Sequence, residues 1–195
     1  MVQRYTSYHY DFVCVSDHDI PGVVTIPVDS SKYPPLWYKL YLLDDPTINQ
    51  YEHKVFFDLD VVIHNSIDWC FTHSPKGLSV LRSVWKSDAI AAMPGDTGIN
   101  SSIMIWRDAR YVWDIFLCND EFFTQKYKGI DRFLWNEPVK WSEVPRDEVY
   151  SYREGASIED SERMLFRPAY SVCIYNQTPK PDESLHREPA RSYWI

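Results

Sequence analysis

Apolar residues in this chain gather in short runs separated by polar and proline-containing stretches, a pattern of brief strands and helices alternating along one domain. Asp11-Phe12-Val13-Cys14-Val15-Ser16 predicts a strand ending in the polar turn Asp17-His18-Asp19, and Val23 to Ile26 predicts a second strand. Pro34-Pro35 opens a helix over Leu36 to Leu43, since proline is tolerated in a first helical turn. Lys54 to Ile63 reads as one buried strand, and Asn65 to Asp68 as the cap of a short helix through Phe71. Strands are expected at Asp88 to Met93 and Ser101 to Trp106, around a loop from Pro94 to Asn100. Helices follow at Ala109 to Cys118, capped by Asp108, and at Ile130 to Trp135. Short strands near Val139 to Trp141, Val149 to Tyr152 and Ala169 to Tyr175 precede a polar, proline-rich tail from Pro179. The alternation predicts a single α/β domain over residues 1–195 with a partly parallel sheet, its ligands beyond the carboxyl ends of the strands.

Composition narrows the classes. An aromatic content of 16% suits a globular body with aromatic-lined pockets. No apolar run approaches the roughly 20 residues of a membrane span. Met1-Val2-Gln3-Arg4-Tyr5 opens no signal peptide, so a cytoplasmic protein is expected. Cys14, Cys70, Cys118 and Cys173 have no paired spacing and read as buried thiols, not as disulfides or a zinc site. A net charge of −8 argues against general nucleic-acid binding, which needs clustered Lys and Arg. If the ligand is a phosphate, an acidic chain must build a local cationic site from a metal and a few placed cations.

The strongest chemical signal is Phe57-Asp58-Leu59-Asp60-Val61. The strand period of two puts Asp58 and Asp60 on one face. Two carboxylates beside a core repel, and desolvation worsens the repulsion. A divalent cation removes both problems, and oxygen-only ligands favour Mg²⁺ or Mn²⁺ over zinc. An Asp-x-Asp alone is a weak signal, which in an acidic chain usually marks a solvated turn. The six histidines form no ligand spacing; His64, four residues beyond Asp60, is the one to inspect.

The order of segments from Asp11 to Pro181 resembles the GT-A-type glycosyltransferases, especially small ones related to the glycogenin-like family 8. The matching segments are Cys14-Val15-Ser16-Asp17 at a strand end, Trp37-Tyr38-Lys39, the Asp58–Asp60 strand and Ile99-Asn100-Ser101-Ser102-Ile103-Met104-Ile105-Trp106. Gly129-Ile130-Asp131, Ser151-Tyr152-Arg153 and Pro179-Lys180-Pro181 complete the series. The resemblance implies a Rossmann-like three-layer sandwich with a mixed central sheet, and an enzyme moving a hexose from a nucleotide-sugar donor, such as a UDP-sugar, to a glycan or other hydroxyl acceptor. It implies Asp58 and Asp60 as ligands of Mn²⁺ or Mg²⁺, and Lys39, Lys180 and Arg153 as diphosphate contacts. Ser16 and Asp17 would help hold the base. Asp58 would also touch the donor, with Asn100, Ser101 and Asp96 at the sugar. Asp131 and Asn100 stand where the family does its chemistry.

Three departures stand against the pattern. No His shortly precedes Lys180 to complete the metal site; the Asn176 carbonyl oxygen or a water would fill the position. Arg132 follows Asp131 where relatives have Gln. The segment order begins at the helix after the family's first strand, which implies a fold shortened at its N-terminus. Two rival readings remain: a non-catalytic sugar-nucleotide binding module, and a haloacid-dehalogenase-type phosphatase, whose first motif is also Asp-x-Asp.

Overall fold

Strand β6, Ile99–Trp106, is eight residues long and buried along nearly its whole length. Its alternating side chains serve two cores: Met104 and Trp106 face one, Ile103 and Ile105 the other. The computed structural model describes residues 1–29, 31–73, 75–83, 86–152 and 169–174. The expected sites Arg153, Asn176 and Lys180 lie outside the described residues.

Strands β1 (Val13–Ser16) and β2 (Val24–Pro27) pair in parallel. The central sheet has the order β3-β6-β5-β7, with β3 at Lys54–Phe57, β5 at Leu78–Arg82 and β7 at Trp141–Glu143. It is mixed, because β6 runs antiparallel to both β3 and β5 while β7 joins β5 in parallel. A third sheet has the order β4-β9-β8, with β4 at Val61–Ile63, β8 at Val149–Ser151 and β9 at Val172–Ile174. The short helices α1 (Pro46–Asn49), α2 (Asp68–Thr72) and α3 (Asp88–Ala91) connect strands. Helices α4 (Arg110–Leu117), α5 (Asp120–Lys126) and α6 (Ile130–Asn136) join the 3-10 segment Pro35–Leu43 on one face of the central sheet. The third sheet covers the other face, through Val61, Ile63, Val172 and Ile174. Helices, central sheet and third sheet make three layers.

Phe116 is the centre of the helical layer. Fully buried, it lies within ring-contact distance of Trp37 at 5.1 Å, Tyr33 at 5.3 Å, Trp113 at 5.6 Å and Phe133 at 5.8 Å. The 3-10 segment docks on this layer by Trp37, Leu40 and Leu43, a spacing of three that matches its period.

Two expectations change. Lys54 to Ile63 is two strands in two sheets, β3 and β4, because the chain turns at Asp58. Asp88 to Met93 contains a helix, not a strand, since the Ser87 hydroxyl accepts from the Ile90 amide at 3.3 Å and caps it. The neighbouring strand is β5, whose apolar run a serine interrupts. All four cysteines are free thiols as expected, and Cys70 and Cys173 are buried, but against the expectation of buried thiols Cys14 is half-buried and Cys118, at the end of α4, is exposed.

Phe116→Ala should destabilise the protein by about 3–5 kcal/mol, the usual range for a core phenylalanine. Chemical denaturation checks it: a midpoint unchanged from wild type contradicts the aromatic layer.

Candidate active site

The site grows from an irregularity in the central sheet. β5 pairs with β6 at Val80↔Met104, and the next partner of β5, Leu81, sits opposite Asn100. This bulge releases Ser101 to Ile103 from β5, and such bulges re-aim backbone groups at strand ends. The released groups are then used by others. Ser101 donates its amide to Asp131 Oδ1 at 3.0 Å, while on the other side the Ser102 carbonyl accepts the Asp58 amide at 2.9 Å and carries the β3 ladder one residue further. Asn100 Oδ1 accepts the Ser102 amide at 2.9 Å.

Lys39 closes the cluster. Its Nζ donates to Asp58 Oδ2 at 2.6 Å and to the Ser101 carbonyl and hydroxyl, both at 3.1 Å. Both partners of the ion pair are largely shielded from solvent, and the Lys39 ammonium also lies over the Phe56 ring at 5.3 Å. Because β3 and β6 are antiparallel, the carboxyl end of β3 meets the amino end of β6. Lys39, Asp58, Asn100, Ser101 and Asp131 therefore converge there.

Asp58 and Asp60 come together by a different route than a strand pleat. The Asp58 carbonyl accepts the Val61 amide at 3.2 Å, closing a turn with Leu59 and Asp60 at its centre. Leu59 is 83% exposed at its tip. Asp60 is held inward: burial first, and the Asp58 charge second, push its carboxyl above the usual carboxylate range, while Lys39 opposes them. Its Oδ1 is buried without a hydrogen-bond partner. Burial also raises the Asp131 carboxyl, against the pull of Lys39 and the Ser101 hydrogen bonds.

An orphaned carboxylate oxygen beside a second carboxylate fits a hard divalent cation. No group of three His, Cys, Asp or Glu suited to a metal occurs among the described residues. Asp58 and Asp60 thus fit a site of the Mg²⁺ kind, in which one or two carboxylates leave the remaining positions to water and substrate phosphate. His64 is no part of such a group; burial pushes its imidazole down to about 4.

Other expected residues stand apart. Ser16 and Asp17 end β1, where Asp17 pairs with His18 at 2.8 Å and Ser16 bonds to the same side chain. Asp96 precedes β6 and binds Lys86 at 2.7 Å and the Thr97 amide at 2.7 Å. Lys86 escaped the sequence reading, since a lone lysine in a loop carries no pattern.

No family model and no curated protein matches the chain. Among solved structures it is similar to the crystal structure of the galactosyltransferase LgtC in complex with donor and acceptor sugar analogues. The TM-score is 0.56 and the identity 17%, over 89% of this chain and 74% of that one. The likeness establishes the fold: mixed α/β, of the Rossmann-like GT-A type.

Asp60→Asn tests the electrostatics. A carboxyl raised on folding holds its proton more tightly in the folded chain than in the unfolded one. That contribution is fully present below the unfolded value of about 3.9 and is lost as pH rises through the folded value. The variant should therefore gain thermal stability relative to wild type at pH 7, with the gap shrinking as the pH falls toward 4. A gap independent of pH contradicts a strained Asp60 carboxylate.

Proposed function

We propose that this protein is a glycosyltransferase that moves a hexosyl group from a nucleotide-sugar donor, a UDP-hexose in the first instance, to a hydroxyl acceptor. The observation that carries the reading is the convergence of Lys39, Asp58, Ser101 and Asp131 at the edge shared by β3 and β6, beside the unpartnered Asp60 oxygen. The GT-A fold supports it at a coarser level.

Breaking the bond between the sugar and the diphosphate puts negative charge on the leaving phosphate. Mg²⁺ or Mn²⁺ held by Asp58 and Asp60 would supply a Lewis acid to that charge. Lys39 adds a fixed ammonium at the same place and orients Asp58. Asp131, anchored by the Ser101 amide and raised by burial, suits a group that holds a donor or acceptor hydroxyl and takes up its proton. Asn100 turns its carbonyl oxygen to the Ser102 amide and leaves its amide nitrogen for sugar hydroxyls. Lys180, Arg153 and Asn176 complete the proposed set as two diphosphate contacts and a further metal ligand; Ser16, Asp17 and Asp96 belong to its periphery. A second reading, a sugar-nucleotide binding module without turnover, draws on the lack of a third acidic, His or Cys ligand among the described residues.

Calorimetry with UDP, in Mn²⁺ and in EDTA, separates metal-assisted binding from its absence: affinity should be much higher with the ion, and equal affinities remove the metal role. Release of UDP from UDP-hexoses then separates enzyme from binding module. Asp60→Ala should lower that rate by on the order of 10²–10³, as loss of a preorganised electrostatic group does. A variant that keeps most of its rate rules out the assignment. Lys180→Ala should weaken UDP by about 1.5–3 kcal/mol and leave uridine nearly unchanged; equal losses for both ligands mean that Lys180 does not touch phosphate.

A further inference from the structure

One residue along α6 from Asp131 lies an open concavity of about 340 Å³, lined by residues 91–96, the Lys126–Tyr127 pair and the exposed side of α6. Its floor is the chain from Ala91 to Asp96, and Arg132, Trp135 and Asn136 form the α6 wall. Two adjacent residues link the two places: Asp131 turns to Ser101, and Arg132 turns to this cleft.

The cleft is built around two side chains. Trp135 reaches its position only because residue 98 is glycine, since a Cβ there would lie 2.4 Å from the indole. Arg82 stacks over the same ring at 4.9 Å and fixes it. Arg132 is half-buried, and its guanidinium passes Gly95, where a Cβ would stand 3.5 Å away. The guanidinium makes no hydrogen bond or ion pair among the described residues: its acidic neighbour Asp96 feels its charge but is bonded by Lys86 at 2.7 Å. Lys126 is likewise neutralised by Glu137 at 3.0 Å. A half-buried guanidinium left with open donors, next to a fixed aromatic ring, is a recognition device for an anion carried on a hydroxylated ring.

We propose that this cleft binds a saccharide unit bearing an anionic group, with Arg132 on the carboxylate or phosphate and Trp135 against the ring. In the transfer reading, on which this assignment of role rests, the bound unit belongs to the acceptor. The chain carries a net charge of −8, so recognition depends on the local fork of Arg132 and not on long-range attraction.

Titration of the full chain with methyl glucuronoside, glucose 6-phosphate and methyl glucoside, followed by saturation-transfer NMR, tests this without any donor. One of the two anionic sugars should bind at least about tenfold more tightly than the neutral one, and which of them does so distinguishes carboxylate from phosphate. Arg132→Gln should erase that preference while leaving the neutral sugar unchanged, and Arg132→Lys should retain part of it. Equal binding of charged and neutral sugars, binding of none, or an undiminished preference in Arg132→Gln overturns the proposal. UDP with Mn²⁺, titrated in parallel, keeps the two readings apart. UDP binding without sugar selectivity defeats the cleft alone; selectivity without UDP binding upholds the cleft and defeats the transferase.

Discussion

The whole candidate site hangs on one buried-edge ion pair, Lys39 with Asp58. Three carboxylates, Asp58, Asp60 and Asp131, gather at this end of the sheet, and burial together with the Asp58 charge makes Asp60 and Asp131 costlier to ionise. Lys39 is the cation common to all three: it bonds Asp58 directly and lowers the other two through space. Its own position is decided by packing. Trp37 and Leu40 on either side of it are buried in the aromatic layer, so the 3-10 segment cannot roll without breaking that layer. Stability of the helical face and poise of the acidic cluster are therefore one property.

The backbone supplies the other half of the arrangement. A regular β6 would spend the backbone groups of Ser101 on its neighbour β5, while Ser102 faces β3. The bulge withholds the Ser101 groups, and they go instead to Lys39 and Asp131, while the Ser102 carbonyl carries the β3 ladder on to Asp58. The central sheet gives up a few ladder bonds at its edge and gains a polar anchor that ties a 3-10 segment, a helix start and a turn to a single strand.

Much of this was legible in the sequence, for identifiable reasons. The apolar runs before Asp58 and after Asn100 mark two strands, and Gly129-Ile130-Asp131 a helix start; the resemblance carried by these motifs named Lys39, Asp58, Asn100, Ser101 and Asp131, which the structure brings together. The turn at Asp58 was not legible. Continuous apolar residues on both sides of the acidic pair read as one strand, and periodicity within a chain carries no signal for a change of sheet, which depends on the distant partners β6 and β9. Asp88 to Met93 misled in the same way: an apolar run outweighed the serine before it, although a capping hydroxyl decides the local geometry. Ser16 and Asp17 fall at a strand end as expected, but no hydrogen bond or ion pair among the described residues joins them to the acidic cluster.

The division of the acidic pair between two sheets has a mechanical consequence. Asp58 is carried by the plate of β3 and β6, Asp60 by the plate of β4 and β9, and the turn between them is the hinge. The gap between the two carboxylates is thus a gauge of how the plates are seated. Cys173 stands opposite Val62 in the second plate, buried and near enough to Asp60 to feel its charge. Cys173 faces away from the first plate, with Val62, Tyr150 and Tyr152, so the seating is set by Val172 and Ile174, which share a core with Ile103 and Ile105. A change of side-chain volume there would move Asp60 while Asp58 stays clamped to Lys39.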